Sequence, residues 1–187
     1  MADIWLMRHA HYEGHLSGHH AHPDAPLSDE GRAQARRAAR WLPRSIASIV
    51  TSTMPRAQET AAIICQQAGL PLVAASDTFA EWRAPSCVLG KGPPEYPASY
   101  HTWREQRLAH PDLRCEDGES LLELHQRATE GAALLTVKSR RGGVLLVSHA
   151  VFLACLARLE EGPRAFEAAV NQSWAFVELR RAPGAHR

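Results

Sequence analysis

Gly143-Val144-Leu145-Leu146-Val147-Ser148-His149 is the stretch of sequence that decides the fold. Its four central residues are apolar, they follow a glycine, and they lead directly into a serine and a histidine. A short apolar run of this kind is typical of a strand buried on both faces of a parallel sheet. A helical pattern follows, with apolar residues at helical spacing from Phe152 to Leu159 and a stop at Gly162–Pro163. This order of strand and helix predicts an α/β fold.

Other segments of the chain repeat the same alternation. The predicted strands are Ile4–Met7, Ile46–Val50, Leu72–Ala75, Val144–Val147 and Trp174–Leu179. The other predicted helices begin after Ser28, at Pro55 and near Leu121, and they end before Pro43, at Gly69 and before Gly142. We therefore expect one domain over residues 1–187 in the α/β class, a three-layer α/β/α sandwich around a mostly parallel central sheet.

The segment from about 77 to 117 interrupts this alternation. Its five prolines and two glycines predict a long irregular loop with at most one short helix, near Tyr100–Leu108. Long loops in compact domains often form lids or substrate walls, so we expect a lid-like insertion here. The aromatic residues of this segment either line a substrate or pack the loop onto the domain, namely Trp82, Tyr96, Tyr100 and Trp103.

The composition is that of an ordinary globular protein. The chain has 187 residues, of which 45% are hydrophobic and 22% charged, which excludes disordered, collagen-like and coiled-coil classes. A formal net charge of +1 gives no general argument for a nucleic acid or membrane partner. The first apolar run is too short for a signal peptide, so we expect a cytoplasmic protein. We expect reduced cysteines without a catalytic role, namely Cys65, Cys87, Cys115 and Cys155.

Polar side chains follow the three best-defined strands. Arg8–His9, Thr51–Ser52 and Ser148–His149 stand directly beyond the apolar runs. Because the carboxyl ends of parallel strands meet at one edge of a sheet, we expect these groups to converge. Arg56 lies one helical turn beyond the second strand and adds a forked donor.

These groups suit a phosphate pocket. Two guanidinium groups, two imidazoles and the first turn of the helix after His149 would all face the same anion. Nearby arginines would keep an imidazole neutral, and the neutral ring is the form that can attack phosphorus. The sequence shows neither a P-loop glycine pattern nor a clear carboxylate cluster for magnesium.

Five blocks of sequence stand out along the chain. They are Leu6-Met7-Arg8-His9, Ala25–Ala35, Thr51–Ala61, Gly118-Glu119-Ser120 and Val147-Ser148-His149-Ala150. In this order they resemble the Arg-His-Gly signature, the start of the first helix, the Ser-x-x-x-Arg-x-x-x-Thr block and two further blocks of the histidine phosphatase superfamily. The resemblance covers nearly the whole chain and implies the phosphoglycerate mutase-like fold.

The resemblance also implies a role for each matching residue. His9 would be the nucleophile that forms a phosphohistidine, which water later hydrolyses. Arg8, Arg56 and His149 would hold the equatorial oxygens of the phosphoryl group. Glu81 would give a proton to the leaving oxygen and then act as the base for water. No metal and no organic cofactor are implied.

The sequence departs from the family pattern in three places. Ala10 replaces a glycine, and His15 stands near the position of an asparagine. Trp82–Cys87 replaces the glycine-rich stretch that follows the proton donor. Glu13 is therefore the alternative acid to Glu81.

Two further substrate contacts and one histidine-rich segment complete the candidate site. We expect Ser52 and Arg83 to contact the substrate. Five histidines lie between positions 11 and 22, but their spacing matches no standard zinc pattern. We interpret that segment as a solvated loop.

The function expected from this resemblance is hydrolysis of a phosphomonoester, or a phosphoramidate, through a covalent phosphohistidine. The substrate would be a small phosphorylated metabolite or a phosphorylated protein side chain, with neither nucleic acid nor membrane as a partner, and a homodimer is left open. One alternative is phosphoglycerate mutase-type phosphoryl transfer, which the short chain and the poorly matched loop disfavour. The other is a non-catalytic phosphate-binding protein. A carboxylate across the pocket from His9 would favour the enzyme.

Overall fold

A five-stranded sheet forms the centre of the protein, whose computed structural model describes residues 2–171 and 174–183. The strands are β1 (Ile4–Arg8), β2 (Ile46–Thr51), β3 (Leu72–Ala75), β4 (Gly143–Ser148) and β5 (Leu179–Arg181). Their order across the sheet is β3-β2-β4-β1-β5. The first four strands are parallel, and β5 pairs antiparallel with β1 at the edge. The prediction of an α/β fold with a mostly parallel sheet is confirmed.

Six α-helices and several short 3₁₀ turns connect these strands. The α-helices are α1 (Asp29–Ala38), α2 (Pro55–Ala68), α3 (Ala98–Gln106), α4 (Leu121–Ser139), α5 (Ala150–Leu156) and α6 (Ala165–Asn171). The 3₁₀ turns are Ala39–Trp41, Asp77–Phe79, Ser86–Val88, Pro93–Glu95 and Leu159–Arg164. None of the helices within the described ranges is both long and apolar enough to cross a bilayer.

Strand β4 separates two hydrophobic layers because its successive side chains point to opposite faces of the sheet. Val144 and Leu146 pack into the layer that includes helices α4 and α5. Leu145 and Val147 pack into the layer that includes helix α2. All six residues of β4 are buried, as expected of a strand covered on both faces. The chain is therefore a three-layer sandwich, as predicted.

The helix ends follow the sequence signals. The Ser28 side chain accepts a hydrogen bond from the Gly31 amide and caps α1. Pro55 is the first residue of α2, and Gly69 ends that helix in the left-handed conformation at φ +67°. Helix α1 packs so closely on the preceding loop that a β-carbon at Gly31 would lie 1.9 Å from a backbone oxygen. These contacts fix the entry of α1 and α2 beside the sheet edge.

Two predictions near the end of the chain are wrong. The strand predicted at Trp174–Leu179 is instead Leu179–Arg181. Val177 has a φ of +53°, which is incompatible with an extended strand at that point. The helix predicted to run as far as Gly162 ends at Leu156, and Gly162 lies in a kink at φ +63°. Helix α6, which follows that kink, was not predicted.

The irregular segment agrees with its prediction. Residues 77–117 contain three 3₁₀ turns and one helix. That helix, α3, runs from Ala98 to Gln106, two residues earlier than Tyr100–Leu108. Pro97 stands directly before it as the cap residue, because its fixed φ suits the entry to a helix.

Candidate active site

The predicted convergence of strand ends is found in the structure. Arg8 is the last residue of β1, and the His9 amide donates to the Ser148 carbonyl at the end of β4, at 2.8 Å. The His9 and His149 rings are 5.0 Å apart. Arg56, in the first turn of α2, reaches the same place from the second strand. The edge of the sheet therefore carries a cluster of two guanidinium groups and two imidazoles.

His9 is held in one tautomer by its hydrogen bonds. Its Nδ1 lies 2.7 Å from the Ala10 carbonyl oxygen, which can only accept, so we assign the proton to Nδ1. Its Nε2 accepts from Nε of Arg56 at 3.1 Å. Burial, reinforced by the charges of Arg56 and Arg8, lowers the pKa of His9 well below its ordinary value. The ring is therefore neutral and keeps its lone pair on Nε2.

Ala10 fits the close passage of the backbone at this point. Its φ is not positive, since the non-glycine residues with positive φ in the described chain are Glu116 and Val177. The Ala10 amide donates to the Thr60 hydroxyl at 3.0 Å, and that hydroxyl donates to the Arg56 carbonyl at 2.7 Å. An alanine in place of the family's glycine is thus accommodated without backbone strain.

Arg56 is fixed by the loop that precedes α1. Its Nη1 donates to the backbone carbonyls of His22 (3.2 Å) and Pro23 (2.9 Å), and its guanidinium lies 5.2 Å from the centre of the Tyr12 ring. Only 2% of Arg56 is exposed, and burial lowers its pKa. Carbonyl oxygens satisfy part of the guanidinium without neutralising it, so its positive charge is available to a bound anion.

Arg8 and His149 each have a buried nitrogen without a protein partner in the described part of the chain, namely Nε of Arg8 and Nδ1 of His149. Arg8 is held by a 2.7 Å bond from Nη1 to the Trp174 carbonyl and by the Phe176 ring, 4.0 Å from its guanidinium. His149 is held through Nε2, 2.9 Å from the Ser52 hydroxyl. Buried polar atoms are normally paired, so two unpaired nitrogens beside a buried cation indicate a binding site for an anion.

Ser52 contacts His149, and neither of these two buried residues is among those that line the cavity. Its hydroxyl accepts from the Met54 amide at 3.1 Å and lies 2.9 Å from Nε2 of His149, and we assign its proton to this second contact. With this assignment the single N–H proton of the neutral His149 ring is on Nδ1, the unpaired nitrogen. Burial, followed by the influence of His9 and Arg56, lowers the pKa of His149 well below its ordinary value. Ser52 thus positions His149, and its expected contact with the substrate stays a prediction.

Glu81 lines the same cavity as His9 and is held by the start of helix α5. Its Oε1 accepts from the amides of Trp82 and Phe152, both at 2.9 Å, and its Oε2 accepts from Val151 at 3.2 Å. Its charge partly opposes the lowering of the Arg8 pKa by burial. The carboxylate is thus in the electrostatic field of the arginine and histidine cluster.

Glu13, the alternative acid, is in a different environment. It is exposed, its amide donates to the Pro26 carbonyl at 2.9 Å, and it does not line the cavity. The geometry therefore favours Glu81 as the acid. Arg83 does line the cavity, where its Nε donates to the Asp117 carbonyl at 3.2 Å and the residue is exposed.

A buried ion pair holds the segment that carries Glu81, and sequence reasoning did not identify it. Arg127 donates Nε and Nη2 to the two carboxylate oxygens of Glu119, at 2.8 and 2.7 Å. It also donates to the backbone carbonyls of Thr78, Ala80 and Glu81, at 3.1, 2.6 and 3.3 Å. Glu119 belongs to one of the quoted blocks, but nothing in the sequence links it to an arginine eight residues later.

The histidine-rich segment is a solvated loop only in part, because Glu13, Gly14, Leu16–Gly18 and His22 are exposed but other residues of the segment lie in the cavity wall. His19 and His20 line the cavity. The His20 ring is within 6.0 Å of the rings of Trp82, Tyr96 and Tyr100, and burial lowers its pKa. The backbone of the segment also contacts the irregular segment 77–117: the Gly90 amide donates a hydrogen bond to the His20 carbonyl at 2.8 Å. These contacts depend on the lid sequence and could not be read from the histidines alone.

One group of potential metal ligands occurs within the described residues, and it is separate from this cavity. The side-chain ligand atoms of Cys87, Cys115 and Glu116 lie within 4.8 Å of one another. Burial raises the pKa of both thiols, that of Cys87 to about 11, which disfavours the thiolate that a metal requires. The four cysteines are free, as predicted.

Comparison with known proteins agrees with this geometry. A family model for the histidine phosphatase superfamily (branch 1) matches residues 4–182. A relative from Escherichia fergusonii, named "Probable phosphoglycerate mutase GpmB", is 28% identical over 163 residues, covering 83% of this chain and 73% of its own.

Solved structures show the same fold. A mycobacterial glucosyl-3-phosphoglycerate phosphatase superimposes with a TM-score of 0.77 at 22% identity, covering 97% of this chain and 90% of its own. An alpha-ribazole phosphatase from Shigella flexneri gives a TM-score of 0.76 at 22% identity, with 96% and 89% covered.

Proposed function

Because the chain belongs to the histidine phosphatase superfamily (branch 1), we propose that it is a phosphatase that hydrolyses a phosphomonoester through a phosphohistidine on His9. The observation that carries this proposal is the state of the His9 ring. Its proton is on Nδ1 and its Nε2 accepts from Arg56, the His149 ring lies 5.0 Å from its own, and the charge of Arg8 helps to lower its pKa. An imidazole in this state is a nucleophile surrounded by donors for the oxygens of the group it would attack.

The first step is the transfer of the phosphoryl group to His9. Nε2 gives up its hydrogen bond from Nε of Arg56 and forms a bond to phosphorus while the bond from phosphorus to the alcohol oxygen breaks. Nε of Arg8, the guanidinium of Arg56 and Nδ1 of His149 donate to the three equatorial oxygens, whose charge they stabilise in the transition state. These donors are fixed before the substrate arrives, so little reorganisation is needed during the reaction.

Glu81 supplies the proton that the departing alcohol needs. Its Oε1 already accepts two amide hydrogen bonds, whereas Oε2 accepts one. Oε2 therefore has the spare lone pair that can carry the proton. In the second step Glu81, now a carboxylate, takes a proton from water as the water oxygen attacks phosphorus and releases neutral His9. Both steps balance without a metal or an organic cofactor.

A small phosphorylated metabolite is the substrate that we favour, with a phosphorylated protein side chain or a phosphoramidate as the alternatives. The two solved relatives named as phosphatases support hydrolysis over mutase chemistry, whereas the Escherichia fergusonii relative carries a mutase name. Conversion of 3-phosphoglycerate to 2-phosphoglycerate without release of phosphate would favour the mutase. Stoichiometric binding of phosphate esters without turnover would favour a binding protein.

The test is a screen of phosphorylated metabolites for phosphate release, with His9→Ala assayed in parallel. We expect turnover by the wild type, a phosphoryl group trapped on His9 by an alkaline denaturing quench and detected by mass spectrometry at alkaline pH, and loss of both in the variant. Unchanged turnover by His9→Ala would refute the nucleophile assignment.

Matched carboxamide variants test the acid. Glu81→Gln should lower kcat by about 10²- to 10⁴-fold while inorganic phosphate still binds, because a positioned acid contributes a factor of that size. Glu13→Gln should have little effect, since Glu13 is exposed and outside the cavity. The reverse pattern would transfer the acid role to Glu13.

A further inference from the structure

The cavity that contains His9 is much larger than a phosphate group. Its volume of about 690 Å³ is in the range, about 300–1,000 Å³, of pockets that enclose small organic ligands. Arg8, His9, Arg56 and Glu81 account for the part of the wall that would face the phosphoryl group. The remaining wall would therefore face the alcohol part of the substrate.

That remaining wall is largely apolar. Its apolar and aromatic residues are Tyr12, Ala21, Pro23, Met54, Ala80, Trp82, Ala84, Leu89, Tyr100, Val151, Phe166 and Val170. The rings among them are fixed by one another: Trp82 lies 5.0 Å from Phe166, and Trp82 and Tyr100 both stack on Trp103, at 5.7 and 5.3 Å. A rigid apolar wall favours an apolar group of matching shape.

The charged residues of the wall are mostly committed to other contacts. Glu119 and Arg127 pair with each other, and Asp77 accepts from the Thr53 hydroxyl. Arg83 is exposed and donates Nε to a backbone carbonyl, and Nε2 of His19 lies 4.0 Å from the Glu95 carboxylate. His20, whose pKa burial lowers, is packed among aromatic rings. A second phosphoryl group would thus meet no cluster of cations comparable to the one around His9.

On the basis of the proposed function, we propose that this enzyme selects phosphomonoesters whose alcohol carries an apolar ring, and that Leu89 and Val170 are specificity residues. Leu89 is half-buried in the lid and Val170 is 46% exposed on helix α6, so both present apolar surface to the cavity without being part of the core. A sugar ring of the same size would bring hydroxyl groups against this wall. Hydroxyl groups lose free energy when they leave water without gaining a hydrogen bond.

The test compares 2-phenylethyl phosphate with glucose 6-phosphate and glycerol 3-phosphate. All three are phosphates of primary alcohols, so differences in leaving-group reactivity are small. We expect kcat/KM for 2-phenylethyl phosphate to exceed that for glucose 6-phosphate by about tenfold or more, the size of discrimination that an apolar pocket can provide. An equal or higher kcat/KM for glucose 6-phosphate would overturn the inference.

Variants of the wall give an independent readout. Leu89→Asn and Val170→Asn should each lower the ratio of the two kcat/KM values by about threefold or more, mainly through KM for 2-phenylethyl phosphate. Leu89→Met should preserve the ratio because it keeps the wall apolar. Leu72→Asn controls for a surface leucine replaced elsewhere, since Leu72 is 47% exposed on β3 and outside the cavity. A ratio unchanged in both asparagine variants would overturn the role of the two residues.

The same measurements separate the two proposals. If neither these three esters nor any ester of the metabolite screen releases phosphate above the level of His9→Ala, the proposed function fails and the inference fails with it. If the screen finds a His9-dependent substrate but 2-phenylethyl phosphate is not hydrolysed, only the inference fails. If all three are hydrolysed in a His9-dependent manner without preference for the apolar ring, the phosphatase stands and only the inference on specificity fails.

Discussion

Replacing Arg127 by methionine tests whether the buried ion pair holds the Glu81 segment. The guanidinium makes two bonds to Glu119 and one each to the carbonyls of Thr78, Ala80 and Glu81. Glu119 is only 7% exposed, so Arg127→Met leaves a buried carboxylate without its counter-ion. Removing one partner of a buried pair typically destabilises a protein by about 3–5 kcal/mol. We expect a loss of that size in the free energy of unfolding.

A double variant separates charge burial from loss of packing. In the wild type the Arg83 amide donates to Oε2 of Glu119 at 3.2 Å. Glu119→Gln removes the negative charge but keeps a side-chain oxygen that can accept this hydrogen bond. In the Arg127→Met background it should therefore restore about 2 kcal/mol, because coupled residues show interaction energies of about 0.5–3 kcal/mol. Urea denaturation of the wild type, both single variants and the double variant measures this coupling. Strict additivity, or a loss below about 1 kcal/mol for Arg127→Met, would refute the reasoning.

The same variant should affect catalysis more than phosphate binding. Without Arg127, three carbonyls around Glu81 lose their shared donor, and a displacement of about 1 Å in a catalytic group can lower the rate by about 10²-fold. Inorganic phosphate would still be held by Arg8, Arg56 and His149. We expect kcat to fall while the inhibition constant for phosphate changes little. Equal effects on the two constants would indicate a general disturbance of the site.

Three further predictions follow from individual contacts. Thr60→Val should lower the free energy of unfolding by about 1–3 kcal/mol in urea titrations, because it leaves the buried Ala10 amide without its acceptor. Gly31→Ala should destabilise the protein by about 3 kcal/mol, since its β-carbon would lie 1.9 Å from a carbonyl oxygen of the preceding loop; a Tm equal to that of the wild type would contradict this. Burial depresses the pKa values of folded His9 and His149, so below about pH 6.5 the unfolded chain binds protons that the folded chain does not. The free energy of unfolding should therefore decrease as the pH is lowered, by up to about 2.7 kcal/mol per pH unit. In His9→Gln the decrease should be about half as large.

The cluster of arginine and histidine side chains around His9 could be predicted from the sequence because it follows from local patterns. Arg8 and His9 come directly after one apolar run, and His149 comes after another. Parallel strands of one sheet run in the same direction, so their carboxyl ends share one edge. The spacing to Arg56 is one helical turn. Each step uses short-range information that the sequence contains.

The strand prediction at Trp174–Leu179 was wrong because the same pattern of apolar residues can form a strand or cover a charged side chain. The apolar residues here are typical of a strand, namely Trp174, Phe176 and Val177. In the structure, Trp174 and Phe176 instead contact the Arg8 side chain. The Trp174 carbonyl accepts from Arg8, and the Phe176 ring lies 4.0 Å from its guanidinium. Val177 then turns the chain at φ +53°, and only afterwards does β5 begin. Apolar residues around a buried cation and apolar residues in a strand are not distinguishable by periodicity alone.

Glu81 depends on the fold in a different way from His9. His9 stands at a strand end, and its place is fixed by the register between β1 and β4. Glu81 stands in an irregular loop, and its place is fixed by Arg127 on α4 and by the amides that begin α5. An acid held from two helices can keep its position while the loop beyond it changes length and composition. His9 and Glu81 are thus held by different contacts. This difference explains how the segment from Trp82 onward departs from the family pattern while the residues around His9 match it. Substrate preference in this chain should therefore respond to substitutions in the lid at residues such as Leu89 without loss of the phosphate centre, because the two parts of the cavity are supported by separate contacts.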